Sequence, residues 1–145
     1  MRFLYVAPRY HTNQVPIIRG LKRKGHEVCF LSQYAGKVED YSDLTPTVIG
    51  YSRIFLFFDR IYVALMKNRD AYAGDRKMKC GFPPIGKLKR AIRDSHGDVA
   101  VLRERSVYSI CAYLLCKKYK IPAILYNQSP LWEDLSLIHL SEPTR

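Results

Sequence analysis

The sequence predicts an α/β domain in which helices cover both faces of a mainly parallel sheet of about five strands. Short apolar runs, long enough for strands buried on both faces, alternate with segments whose apolar residues recur at helical spacing. Polar side chains follow the first run, at the strand end where such sheets bind ligands. Together these observations predict a Rossmann-like three-layer domain.

The first β-α-β unit begins with a strand at Phe3–Ala7 and ends with a strand at Val28–Leu31. Between them we expect Asn13 to cap a helix with Pro16 in its first turn, where a missing N–H is tolerated. Basic residues fill the last turns of this helix, and Gly25 is expected to end it in the left-handed conformation.

The loop between this strand and helix is the first candidate ligand site, because helix N-termini there present unpaired N–H groups to anions. We expect substrate contacts from six consecutive residues: Arg9, Tyr10, His11, Thr12, Asn13 and Gln14. The alternative is a capped, solvated loop that binds nothing.

The middle of the chain predicts a short strand at Thr47–Tyr51 and a helix from Ser52 to about Lys67. This helix is rich in aromatic residues and apolar on all sides, which is typical of a helix buried in a core. Contact with a lipid tail or a partner domain is the alternative. Residues 68–84 are predicted to be irregular and basic.

A basic amphipathic helix is predicted from Ile85 to about Ser95. Its polar face carries four cations: Lys87, Lys89, Arg90 and Arg93. Such a face can bind an anionic membrane surface, although a solvated surface helix is the more common case.

The second half predicts strands at Asp98–Leu102 and Ala123–Tyr126, joined by a helix that Ser106 or Ser109 caps. Two further groups of candidate substrate-binding residues follow these strands: Arg103, Glu104 and Arg105 after the fourth strand, and Asn127 and Gln128 after the fifth. A surface ion network is the alternative for the Arg-Glu-Arg run.

Size and charge limit the function. The 145 residues suit about one domain, and 48% hydrophobic content indicates a folded one. A formal net charge of +11 predicts an acidic partner, such as a phosphate-bearing substrate, anionic lipid or nucleic acid. No nucleic-acid-binding motif is present, so we expect no specific nucleic-acid partner.

The four cysteines lack CxxC spacing and predict no metal site or disulfide framework, so a reduced cytosolic compartment is the default. The chain opens directly with a strand, so no signal peptide is expected. The longest apolar stretch, Ile54–Met66, is too short to span a bilayer. We expect a cytoplasmic location, or a peripheral one on the inner membrane face.

Two stretches carry a resemblance to a known family. The first is the opening strand-loop-helix unit that leads to GHEV at residues 25–28, and the second is GDVAVLRE…SICAYLLCKKYKIPAILYNQ over residues 97–128. Both resemble the corresponding segments of family 4 glycosyltransferases of the GT-B fold. The resemblance covers roughly residues 1–133 in order and spacing, weakly between 34 and 84. The family's usual glycine pair is absent from the first loop, where Thr12-Asn13-Gln14 stands.

The resemblance implies the acceptor-side half of an enzyme that transfers a sugar from a nucleotide-sugar donor to a glycan or lipid-linked acceptor. It implies no metal and no nicotinamide cofactor. The family commonly places a His at the end of the fifth strand, but Gln128 stands there, so no catalytic His is predicted and the catalytic residues stay unknown. The alternative function is a non-catalytic basic module that binds nucleic acid or anionic membrane.

The last eleven residues, LSLIHLSEPTR, match none of the preceding patterns and resemble a translated sequencing adapter. We therefore expect residues 1–134 to form the N-terminal domain, 135–145 to be a non-native tail, and the donor domain to be missing. A genuine loop-plus-strand tail is the alternative. The isolated chain is expected to be inactive and to expose a docking face around Tyr10, Tyr126 and Trp132.

Overall fold

The computed structural model describes residues 1–36, 40–66, 73–103 and 106–126. The strands in this part of the chain are β1 (Arg2–Ala7), β2 (Glu27–Ser32), β3 (Thr47–Val48), β4 (Val99–Arg103) and β5 (Ala123–Tyr126). The α-helices are α1 (Val15–Arg23), α2 (Arg53–Met66), α3 (Ala73–Cys80), α4 (Ile85–Asp94) and α5 (Val107–Lys118), and a 3-10 helix (Thr12–Gln14) precedes α1.

The strands form one sheet in the order β3-β2-β1-β4-β5, and every neighbouring pair is parallel. From β1 the chain proceeds through β2 to β3 at one edge of the sheet, and from β4 it proceeds to β5 at the opposite edge. The predicted α/β, Rossmann-like three-layer fold is thereby confirmed, and the sheet is wholly parallel among the described strands.

Helices pack on both faces of the sheet because each central strand is apolar on both sides. On one face, Leu4 and Val6 of β1 join a buried cluster with Leu88 and Ile92 of α4 and with residues of α5. On the other face, Tyr5 and Ala7 of β1 pack with Ile18 of α1 and Phe30 of β2. Alternate side chains of β1 therefore serve two separate cores.

Three local predictions are confirmed. Gly25 has φ +78° and ends α1 in the left-handed region, which suits a residue without a Cβ. The Ser52 hydroxyl accepts the Phe55 N–H at 3.1 Å, and the Ser106 hydroxyl accepts the Ser109 N–H at 3.2 Å. These two serines satisfy N–H groups at the starts of α2 and α5.

Two other local predictions are wrong in detail. His11, rather than Asn13, caps the first helical turn, and its ring nitrogen accepts the Asn13 N–H. The strand predicted over Thr47–Tyr51 is limited to Thr47–Val48. Gly50 follows with φ +86°, a conformation outside the β region, so the strand cannot continue through it.

The predictions for α2 and α3 are also wrong. Helix α2 was expected in the core, but none of its residues is buried. Residues 68–84 were expected to be irregular, yet they contain α3. Arg76 of α3 forms an ion pair with Asp59 of α2 at 3.0 Å and lies over the Tyr62 ring, so tertiary contacts support a helix that lacks an apolar face of its own.

Candidate functional site

The sheet has a topological switch point between β1 and β4, where the connections leave in opposite directions. In open α/β sheets, the crevice at the carboxyl ends of such a strand pair is the usual ligand position. The residues that follow β1 and the last residue of β4 meet at this point. The strand order alone therefore predicts the location of the candidate site.

A pocket of about 170 Å³ lies at the switch point. Its lining residues come from the loop after β1, the capped turn, α3 and the end of β4: Pro8, Arg9, His11, Asn13, Met78 and Arg103. Four of the predicted site residues are thus brought together from positions almost a hundred residues apart in the sequence. No acidic side chain is present among these described lining residues, so the pocket favours an anion.

His11 is held in the pocket wall by its role as a helix cap. Its Nδ1 accepts the backbone N–H of Asn13 at 3.3 Å, while the backbone N–H of His11 donates to the Gln14 side-chain oxygen at 2.9 Å. These reciprocal bonds form a capping box. Because Nδ1 is an acceptor, the neutral ring carries its hydrogen on Nε2, which can donate to a ligand oxygen.

Arg103 is positioned by the end of β4 and the start of α5. It is the last residue of β4 and pairs with Tyr126 of β5. Its carbonyl accepts the Ser109 hydroxyl at 2.8 Å. The Ser109 hydroxyl also lies 3.1 Å from the hydroxyl of Ser106, which caps α5, so the two serines hold the backbone that carries the Arg103 side chain.

The Pro8 carbonyl connects the floor of the pocket to the end of β2. It accepts the N–H of Gln33 at 2.9 Å and the N–H of Tyr34 at 3.1 Å. The buried Gln33 side chain in turn donates to the Gly81 carbonyl at 2.8 Å. The Tyr34 hydroxyl contacts the Met78 sulfur at 3.7 Å, so the loops after β1 and β2 together support the α3 side of the pocket.

Other predicted site residues lie elsewhere. Tyr10 was expected to face the ligand and a docking partner, but its side chain is fully buried and packs edge-on against Phe30. Burial raises the pKa of the Tyr10 phenol, and nearby Asp43 raises it further. Gln14 is buried beneath the capped turn, and Thr12 is exposed outside the pocket lining. A fully buried side chain supports the site rather than touching its ligand.

Several predictions fall on residues outside the described part of the chain. These are the candidate site residues Glu104, Arg105, Asn127 and Gln128, the docking residue Trp132, and the tail at 135–145. The four cations of the basic helix are described and exposed: Lys87, Lys89, Arg90 and Arg93. Lys87 donates to the Val48 carbonyl at 2.7 Å, and Arg93 lies 3.4 Å from Asp94.

A larger cavity of about 390 Å³ lies between α4 and the strands β2 and β3, with Cys29, Leu31 and Ala91 in its wall. It opens on the face of the sheet, away from the strand ends. Its wall also contains five polar or charged residues: Thr47, Lys87, Arg90, Asp94 and Ser95. It does not lie at the carboxyl ends of the strands, where open parallel sheets bind their ligands. We therefore place the candidate site at the smaller pocket of the switch point.

The sequence did not indicate Met78 or Pro8 as pocket residues. Met78 lies on α3, whose residues show no apolar periodicity, so nothing in the local pattern placed it near the strand ends. Pro8 was interpreted only as the end of the first strand. A signal for Pro8 does exist, since the residue directly after a strand lies at its carboxyl end.

Within the described residues, no group of three or more His, Cys, Asp or Glu could hold a metal ion. The helices of the same part of the chain are all too short or too polar to cross a membrane.

No protein-family model matches the chain, and no curated protein sequence matches it. Among solved structures, it is similar to the C-terminal domain (residues 83–215) of a hydrogenase from Pyrococcus furiosus, with 15% identity and a TM-score of 0.48. The match covers 86% of this chain and 90% of that one. A similarity this remote carries no argument about function. The sheet and its switch-point pocket define the chain as a Rossmann-like α/β domain.

Proposed function

We propose that the chain is the acceptor-side domain of a glycosyltransferase, which transfers a sugar from a nucleotide-sugar to a glycan or lipid-linked acceptor. The motifs GHEV and GDVAVLRE support the glycosyltransferase assignment through their resemblance to family 4. The observation that carries the proposal is the cationic pocket at the switch point, which Arg9 and Arg103 line from two different strand ends. In the full protein a second domain would supply most of the donor site.

The pocket residues suit a substrate that carries phosphate. Arg9 and Arg103 bring positive charge to a pocket whose described lining residues include no Asp or Glu, so they would stabilise the charge that develops on a departing diphosphate. The Nε2–H of His11 and the amide of Asn13 can donate hydrogen bonds to sugar or phosphate oxygens. These four residues bind and orient, and none is assigned as a proton-transfer group. The resemblance implies neither a resident metal nor a nicotinamide.

The proposal is tested by titrating the 145-residue chain with UDP-glucose and GDP-mannose, with chemical shifts or heat as the readout. We expect weak binding that Arg9→Gln or Arg103→Gln reduces by about tenfold each, equivalent to about 1.4 kcal/mol. Arg23→Gln is the matched control, because Arg23 is exposed near the end of α1 and outside the pocket. Equal losses from all three variants would show nonspecific charge attraction instead.

His11 needs a pair of variants, because its ring both lines the pocket and caps the turn. His11→Ala removes the cap and should destabilise the fold by about 1 kcal/mol. His11→Asn supplies another good capping side chain, so it should preserve stability while removing the ring. Weaker binding by His11→Asn at unchanged melting temperature would support a ligand contact, and unchanged binding would limit His11 to capping.

The non-catalytic alternative predicts different outcomes. A basic module should bind single-stranded RNA or DNA with steep salt dependence, and nucleotide-sugars should not compete. The proposed transferase half should bind nucleotide-sugars and show no transfer in isolation. Transfer by the isolated chain would contradict the two-domain part of the proposal, and absence of any nucleotide-sugar binding would contradict the site.

A further inference from the structure

Helix α2 presents a continuous apolar stripe to solvent. Its members recur at i, i+3, i+4, i+7 and i+11, which places them on one face of the helix. Their exposed fractions are 73% for Ile54, 61% for Phe57, 63% for Phe58, 42% for Ile61 and 77% for Leu65. A stripe of large apolar side chains this exposed marks an interaction surface rather than a solvated one.

Cations flank the apolar stripe on both sides. Arg53 and Arg60 are seven residues apart, so they lie together along one edge of the stripe, and both are exposed. Along the other edge, Asp59 is paired with Arg76 at 3.0 Å and with Lys77 at 3.8 Å. Asp59 is the one acidic residue of α2, and these two ion pairs compensate its charge. Arg53 and Arg60 therefore leave the helix surface positive overall.

The charge of the sequence segment that contains α2 indicates what covers the stripe. Residues 53–93 contain eleven Lys and Arg against three Asp, and the four exposed cations of α4 belong to this segment. A second copy of the chain would bring the same positive surface against itself, which is unfavourable. An anionic lipid surface offers acyl chains for the apolar stripe and phosphates for the arginines.

We propose that α2 lies in the interface of an anionic lipid bilayer. The apolar stripe faces the acyl chains, and Arg53 and Arg60 lie at the level of the head-group phosphates. The exposed Phe82 lies near the start of α2, because its carbonyl accepts the Ser52 N–H. The proposal goes beyond the proposed glycosyl transfer and stands without it, since it concerns a different surface and needs no sugar substrate.

The apolar contribution is tested by sedimentation of the full chain with vesicles of phosphatidylcholine, alone or mixed with phosphatidylglycerol. We expect binding to the mixed vesicles, and about tenfold or more weaker binding by Phe57→Ser/Phe58→Ser. The matched control is Ile110→Ser/Leu114→Ser on α5, which removes apolar side chains of similar exposure. We expect this control to bind within about twofold of wild type. Equal losses from both pairs would overturn the assignment to α2.

The charge contribution has its own matched pair. Arg53→Gln/Arg60→Gln should weaken binding to the mixed vesicles several-fold and reduce its salt dependence. Lys117→Gln/Lys118→Gln makes the same change in net charge at exposed positions of α5. The α5 pair should have a smaller effect. Equal losses of vesicle binding from the two double variants would show that binding depends only on total net charge. That result would contradict the placement of α2 in the lipid interface.

Insertion is distinguished from surface attraction with tryptophan variants. Phe57→Trp should gain a blue-shifted emission that lipids with brominated acyl chains quench, whereas Leu114→Trp should not. Light scattering without lipid measures self-association of the same proteins. A dimer that Phe57→Ser/Phe58→Ser converts to a monomer would assign the apolar stripe to a second copy and overturn the membrane proposal, as would lack of quenching at Phe57→Trp.

Discussion

Replacement of glycine by alanine should have opposite effects on stability at Gly81 and at Gly20. Gly81 follows α3, and a Cβ added there would lie 2.4 Å from the Lys77 carbonyl oxygen and 2.4 Å from the Tyr51 ring. Gly20 lies inside α1, where an added Cβ would meet nothing within 4 Å. Gly81→Ala therefore requires displacement of backbone, while Gly20→Ala fills open space.

The expected magnitudes follow from these contacts. Overpacking at Gly81 should destabilise by about 1–3 kcal/mol. Displacement of the Gly81 carbonyl would also break its bond from buried Gln33, which adds about 1–3 kcal/mol. Gly20→Ala should instead stabilise by about 0.5–1 kcal/mol, because alanine restricts the unfolded chain and favours helix.

Urea unfolding monitored by circular dichroism measures both effects. Thermal midpoints should follow, at roughly 3 °C per kcal/mol for a chain of this size. Gly81 and Gly20 both have φ outside the left-handed region, so alanine causes no backbone strain of that kind at either position. The difference in stability between the two variants therefore reports the contacts of the added Cβ. Stability of Gly81→Ala within about 0.5 kcal/mol of wild type would refute the close approach of Gly81 to Tyr51 and to the Lys77 carbonyl.

Four further predictions concern two cysteines, one core leucine and one helix cap. Burial raises the pKa of the Cys116 thiol to about 11, above its value in the unfolded chain. The free energy of unfolding should therefore be unaffected by this thiol below pH 9 and should fall by about 1.4 kcal/mol per pH unit as the pH rises toward 11. Cys116→Ala should remove this part of the decline in urea titrations. At pH 8, the exposed Cys80 should react with Ellman's reagent well before Cys116, which should wait for unfolding. Leu88→Ala should destabilise by about 2–5 kcal/mol, and a loss below 1 kcal/mol in urea would contradict its burial between α4 and the sheet. Ser106→Ala should cost about 1 kcal/mol in the same assay, with Ser42→Ala in an exposed loop as the near-neutral control.

The strands were predictable because each one carries its own signal. The apolar runs at β1, β2, β4 and β5 are short, continuous and bounded by turn residues, so their positions follow from local sequence. The parallel order follows from the helices between them. The meeting of Arg9 and Arg103 in one pocket was predictable for the same reason, since both were identified by their positions after predicted strands. Whether they bind a ligand stays a prediction.

The failures share a different cause. Whether α2 is buried depends on what packs against it, and an apolar sequence alone does not specify a partner. Helix α3 depends on Arg76 reaching Asp59 and Tyr62, which are contacts between distant residues. The cap at His11 was missed because histidine is an uncommon capping residue, and Tyr10 was misplaced because a polar loop can still bury an aromatic ring.

The Pro8 carbonyl accepts two hydrogen bonds, and this has a consequence for hydrogen-exchange measurements. Since Gln33 and Tyr34 both donate to it, neither amide can exchange its hydrogen with water until the loops after β1 and β2 separate. Their exchange rates therefore report how often the pocket floor opens. The two rates should change together when any ligand closes the site, and this makes a pair of backbone amides a sensor of occupancy that needs no knowledge of the ligand's identity.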